Sequence, residues 1–281
     1  MRFANSASCV SSPRPERVAP GSTTPRAAAR LAWRLALLTL RDRYAATALG
    51  GLWAVLQPAG LIAVYWFVFS YGLKMAAPAE GGSYFLTLTV GLIVWFFFSE
   101  AVAGGTNAVL ANRYLVKKIA FPLEILPCIP VLAALVVHAA MIALVLAVMA
   151  AEGRMPSTAL FEVAYFALAL ACLATGLAFL LSGLAVFQGD MAQSIGILLQ
   201  IWFWLTPIVW SPDLFPEHIR GWLALNPLYY IVTGYRHAFL DTPAVPLFGT
   251  AGAIFWIAAA LMLAAGIAVF RRLKPDFADV L

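Results

Sequence analysis

The sequence predicts an all-α membrane protein: six transmembrane helices, an N-terminal interfacial helix, and re-entrant helices between spans 5 and 6. Three observations predict it. Hydrophobic residues make up 63% of the 281 and charged residues only 11%, against roughly half and a quarter in a soluble domain. Six charge-free apolar stretches follow one another, each long enough to cross ~30 Å of hydrocarbon at ~1.5 Å per helical residue. None alternates with period two or breaks into the ~10-residue segments of an outer-membrane barrel.

Residues 1–26 are rich in Ser, Pro, Arg and Ala and lack the apolar core of a signal peptide. The composition predicts a disordered cytosolic tail. From Ala27 the pattern becomes that of a basic helix. Arg30 and Arg34 stand one turn apart, Arg41, Asp42 and Arg43 follow, and Leu31, Trp33, Leu35, Leu37 and Leu38 supply apolar surface. Such a helix lies in the headgroup plane, although a stop-transfer flank has a similar composition.

The six spans, bounded by the nearest charges, are Trp53–Leu73, Gly81–Ser99, Ile125–Ala151, Val163–Gly189, Met191–Pro212 and Thr242–Phe270. An even number of crossings puts both termini on one side. That side carries fourteen Lys and Arg and the other four, which places the termini in the cytoplasm. The net charge of +5 then reflects topology, and no nucleic-acid partner is expected.

Between spans 2 and 3 lies NRYLVKKIAFPLEILP, Asn112–Pro127. It opens polar with Asn107, Asn112 and Arg113 just ahead of Lys117 and Lys118, and turns apolar through Phe121 and Pro122. Its lysines assign it to the cytoplasmic face. A helical turn closed by proline there would project toward a soluble partner.

Only Gln188-Gly189-Asp190 separates spans 4 and 5, which forces antiparallel neighbours. Span 5 carries Gln193, Gln200 and Trp204, which fall within about 20° of one line on a helical wheel. Two amides and an indole on one face fit either interhelical hydrogen bonding or contact with a transported substrate. Thr206-Pro207 then ends or kinks the helix. The following segment, Ser211–Asp241, is punctuated by prolines yet apolar, and Asn226-Pro227 reads as an N-cap with proline at the first helical position. Two short helices dipping into the outer leaflet are expected, with Arg236 and His237 at their polar edge.

Cys9, Cys128 and Cys172 are scattered, so no disulfide framework is expected. His138, His218 and His237 form no HExxH, so no metal site and no zinc protease is expected. A proton-coupled carrier, the competing transport class, needs ionisable groups in mid-membrane. Only His138 qualifies, without an acidic companion, and hydrogen bonding to a neighbouring helix is its simpler role. An intramembrane protease would need a convergent dyad. Asp190, the only acid between Glu162 and Asp213, sits at a turn. No glycine precedes any of the four lysines, so a P-loop is lacking.

Four motifs in order carry a family resemblance: RDRYAATALGGLWAVLQP (Arg41–Pro58), NRYLVKKIAFPLEILP (Asn112–Pro127), LTPIVW (Leu205–Trp210) and LNPLYYIVTGYRHAFL (Leu225–Leu240). Over roughly residues 30–275 the chain resembles the membrane subunit of ABC-2 type exporters. The branch it resembles exports O-antigen, capsule and teichoic-acid chains. It departs at Gln188-Gly189-Asp190, where the family commonly has Arg before the Asp.

The resemblance implies an interfacial helix over 27–48, with Arg30, Trp33 and Arg34 on it and Arg41, Asp42 and Arg43 at its junction. An ABC-2 type transmembrane domain would follow over 49–275, and a short cytosolic tail over 276–281. It implies a coupling helix (Asn107, Asn112, Arg113, Leu115, Lys117, Lys118) docking on a nucleotide-binding subunit, present in two copies, that holds ATP and Mg. This chain would then be a transport subunit with no cofactor of its own and no enzymatic activity. The resemblance further implies extracytoplasmic gate helices (Thr206, Pro207, Asn226, Pro227, Tyr235, Arg236). A homodimer in the inner membrane would pass one lipid-linked glycan through a channel lined by aromatic residues. Trp204 and, more weakly, Tyr65 are the expected lining residues, with Gln193 and Gln200 beside Trp204. Export of another amphiphile or a drug is the alternative within the family.

Overall fold

The computed structural model describes residues 24–74, 83–117, 121–154, 158–223, 225–240, 242–243, 246–247 and 249–281. Lys118 and most of the expected tail lie outside them. The regular elements among the described residues are all helical, and no strand occurs among them.

Helix α1 spans Pro25–Tyr44, beginning two residues before the expected interfacial segment 27–48 and ending four residues short of it. Thr24 caps it and Pro25 takes the first helical position. Ala32 and Ala36 are buried, while Trp33, Leu37 and Leu38 are exposed. A small-residue face therefore packs inward, mainly on α5, and a bulky one stays outward. The chain turns at Gly50, whose φ of +52° is a left-handed backbone that glycine adopts without strain. A 3₁₀ turn then leads into α2, Trp53–Phe67, which closes with a π turn at Val68–Gly72.

Helix α3, Tyr84–Ala111, runs well beyond the expected end at Ser99. It is followed by the single turn α4, Arg113–Val116, and by α5, Cys128–Ala151. Helix α6 covers Glu162–Ala185 and α7 Met191–Leu205. Two short helices come next, α8 (Glu217–Leu223) and α9 (Pro227–Leu240), before α10, Thr250–Leu273, and a final turn α11, Phe277–Val280.

Among the described residues, five segments are long and apolar enough to cross a membrane: Gly50–Gly72, Tyr84–Ala111, Leu123–Ala151, Thr158–Ala185 and Thr250–Val280. The sixth expected span, Met191–Pro212, is helical only through Leu205. Fifteen residues rise ~22 Å, short of the ~30 Å core. The cause is Pro207, which drives Thr206 to an extended backbone (φ −100°, ψ 130°).

Helix α3 is the axis of the bundle, with most of its residues buried among α2, α5, α6, α7 and α9. Helices approach closely where side chains are smallest. A Cβ on Gly176 of α6 would come 2.8 Å from the backbone nitrogen of Leu263 on α10, and one on Gly105 of α3 would strike Ala178. Such small-residue crossings let apolar helices gain dispersion contact where lipid offers no hydrophobic drive. Below them Phe179, Phe270 and Phe277 join Ala36, Val116, Leu123 and Leu126 in a second cluster. This cluster ties α1 and α11 to the end of the bundle that carries α4, and Lys274 reaches Glu124 at 2.6 Å.

Candidate functional site

Three places gather the polar residues of this apolar chain. The first is the turn after α3. Asn107 belongs to α3 rather than to the connector, since its Nδ2 donates to the Ala103 carbonyl at 3.0 Å. A polar residue can ride inside a helix by bonding one turn back. Asn112 ends the helix, donating to Ala108 at 2.8 Å. In α4, Val116 is buried and Leu115 packs against the lower cluster, so Leu115 anchors the turn rather than projecting from it. Arg113, Tyr114 and Lys117 are exposed. The result is a one-turn elbow, apolar underneath and basic on top.

The α1 junction lies nearby. Arg30, Arg34 and Arg41 are exposed, and Asp42 sits 3.8 Å from Arg41 with both largely in the open, a pair worth little. Arg43 turns the other way and meets Glu100 of α3 at 2.6 Å. Burial works against the Arg43 charge, but attraction and hydrogen bonding to Glu100 outweigh it and hold the guanidinium above its ordinary pKa. Arg43 and Glu100 border a ~150 Å³ cavity that reaches Gln57 on α2 and His138 on α5. In the sequence Glu100 marks only the limit of an apolar span, and its partner lies 57 positions away.

The second place is the broken end of α7. Leaving a helix strands carbonyls, and here each finds a donor. Trp210 Nε1 donates to Trp204 O at 3.1 Å. Asn226 Nδ2 donates to the Thr206 hydroxyl at 2.9 Å, and its Oδ1 accepts from Trp202 Nε1 and from the backbone of Leu228, both at 3.0 Å. One asparagine therefore caps α9 and locks it to α7. Beyond Pro207, Arg236 Nη2 donates to Ile208 O at 2.8 Å and the Tyr84 hydroxyl to Val209 O at 2.9 Å. Arg236 does not snorkel to a polar edge. Its Nε is buried with no partner among the described residues, because α9 as a whole is drawn into the core. Tyr235 is fully buried and bonds to His138. Thr206, Pro207, Asn226, Pro227, Tyr235 and Arg236 thus belong to one knot around α7 and α9. Trp202, Trp210 and Tyr84 complete it; their indole and phenol groups were the available signal, since buried ones need acceptors.

The third place is the outer surface of α7. Gln193, Gln200 and Trp204 are all exposed and lie on the face the helical wheel gives them. Tyr65 is elsewhere, half-buried with its ring 5.7 Å from Phe203. Phe203 in turn packs on Trp95, so Tyr65 joins an aromatic wall between α2, α3 and α7.

Residues 30–240 match the family described as ABC-2 type transporter. The chain is 25% identical to the O-antigen export system permease protein RfbA of Klebsiella pneumoniae, over 86% of its own length and 91% of that protein's. It is 27% identical to the RfbA of Myxococcus xanthus, over 85% and 91%. The polysialic acid transport protein KpsM of Escherichia coli is 25% identical over 73% of this chain and 80% of its own.

Proposed function

The chain belongs to the ABC-2 type transporter family, and from that premise we propose that it is the membrane-spanning permease of a polysaccharide exporter. Its cargo is a lipid-linked glycan of the O-antigen, capsule or teichoic-acid type. The observation that carries the reading is coverage: the likeness to O-antigen permeases runs over 85% or more of this chain. It therefore takes in the inner elbow, the α7 face and the outer knot together.

In this reading the chain crosses the cytoplasmic membrane six times with both termini inside. Helix α7 and the non-helical Thr206–Ser211 form the fifth crossing, and α8 and α9 are re-entrant gate helices. Two copies pair so that α2 and α7 face each other. An α7 surface carrying Gln193, Gln200 and Trp204 suits a water-lined channel better than lipid, since amides in hydrocarbon are costly. Trp204 stacks on sugar faces without selecting a sequence, which suits a polymer that must slide. The Arg113–Lys117 elbow docks on a separate nucleotide-binding subunit, two copies per dimer, which holds ATP and Mg.

The test is to delete the cognate ATPase and follow surface glycan together with its lipid-linked precursor. Loss of surface polymer with precursor trapped inside is expected. Purified chain moving glycan unaided would overturn the reading, as would a cysteine at position 117 labelled from outside intact cells by an impermeant maleimide.

A further inference from the structure

The bond between His138 and Tyr235 joins α5 to α9 through polar atoms buried in the core. His138 lies on α5, 3% exposed. Its Nδ1 is 3.2 Å from the carbonyl oxygen of Ile93 on α3, and its Nε2 is 2.7 Å from the hydroxyl of Tyr235 on α9. The carbonyl can only accept, so Nδ1 carries the proton. Nε2 is then the acceptor, and the Tyr235 hydroxyl donates to it. Both nitrogens of a neutral ring are used.

The ring also packs against Phe97 and Tyr235, with centroids 5.2 and 5.6 Å away. Tyr235 in turn lies beside Phe166 and Phe239. Its hydroxyl is thus buried among apolar rings with a single acceptor, and losing that acceptor would leave it stranded.

The connectivity gives the bond its meaning. Helices α3 and α5 are the two arms that enter and leave the elbow carrying Arg113 and Lys117. Helix α9 holds Asn226 and Arg236, which fix the broken end of α7. A displacement of the elbow that shifts α3 and α5 together reaches α9 through His138, because apolar contacts can slide while a directional bond between buried partners resists sliding.

We propose that His138 and Tyr235 are positioning residues that transmit elbow movement to the exit helix α9, a role that rests on the exporter reading above. Neither touches cargo. The residues form a linkage whose strength sets how much of each ATP-driven displacement arrives at the outer knot.

The experiment uses the full chain assembled with its ATPase partner in proteoliposomes. Cys9, Cys128 and Cys172 are replaced by alanine, and Ser211→Cys is added beside the knot. The readout is the change in maleimide labelling at 211 between the apo and ATP–vanadate states, which needs no cargo. Tyr235→Phe keeps the ring and removes only the donor, and should reduce that change about five- to tenfold, the scale of one buried hydrogen bond. His138→Leu should match it, and the double variant should be no worse than either, as one shared interaction requires. His138→Gln, which restores an acceptor, should recover most of the response. An undiminished change in Tyr235→Phe would overturn the proposal, and so would single effects that multiply in the double variant. Glycan export is scored in parallel. A parent that responds at 211 but exports no glycan would sink the cargo reading and leave this linkage standing.

Discussion

Helices α3 and α7 are both apolar, lie in contact, and are built for opposite ends. Helix α3 is 28 residues long and largely buried, and its Gly105 is consumed by packing: no Cβ fits there. Helix α7 is 15 residues long with three buried side chains, and a Cβ at its Gly196 would meet nothing within 4 Å. The same residue type is a packing requirement on one helix and open surface on the other. Packing concentrates in the α3–α6–α10 scaffold, while α7 and α2 keep most of their surface exposed.

The largest expected effect breaks the scaffold side of this contrast. Gly176→Leu must push the α10 backbone aside at a 2.8 Å approach, at a cost of about 3 kcal/mol. Thermal unfolding of the purified chain should show it, whereas Gly196→Leu should leave the midpoint unchanged. Equal midpoints would erase the distinction between the helices. Next, Trp204→Ala should lower glycan export about tenfold, the scale of one lost aromatic contact, with unfolding and ATPase assembly unaffected. A cysteine at 204 that reacts only with lipid-borne probes would remove α7 from the channel.

Smaller in effect, Lys117→Glu combined with Lys118→Glu should cut export several-fold, on the order of one charge-assisted bond. The ATPase should go on hydrolysing; export at wild-type rates would exclude the elbow as the docking point. Smallest of all, Glu100→Gln should cost under ~1 kcal/mol in a denaturation series. The Arg43–Glu100 pair is only about half buried (side chains 48% and 46% exposed).

Much of this contrast was legible in the sequence. The spacing of Gln193, Gln200 and Trp204 fixes one face of α7 without any tertiary information, and Asn226-Pro227 marks the start of α9. Local chemistry decides both. The end of α7 was half legible: Thr206-Pro207 announced a break, but a count of apolar residues continued the span to Pro212. Asn107 was misassigned because polarity alone cannot separate a loop asparagine from one bonded to the preceding helical turn. The pairings of Arg43 with Glu100, Trp202 with Asn226 and His138 with Tyr235 were beyond reach. Each joins residues far apart in sequence, and only the packing of α3 against its neighbours brings them together.

The non-helical run after Pro207 differs from the helices in how it fails. A helix spreads its bonds along a repeating ladder, so losing one leaves many equivalents. The carbonyls of Trp204, Ile208 and Val209 depend on Trp210, Arg236 and Tyr84, and no other described residue duplicates those donors. Mutational tolerance should therefore be steeply uneven along this chain. Removing a single atom at the rim, as in Tyr84→Phe, is more disruptive there than exchanging a whole side chain on the exposed flank of α10.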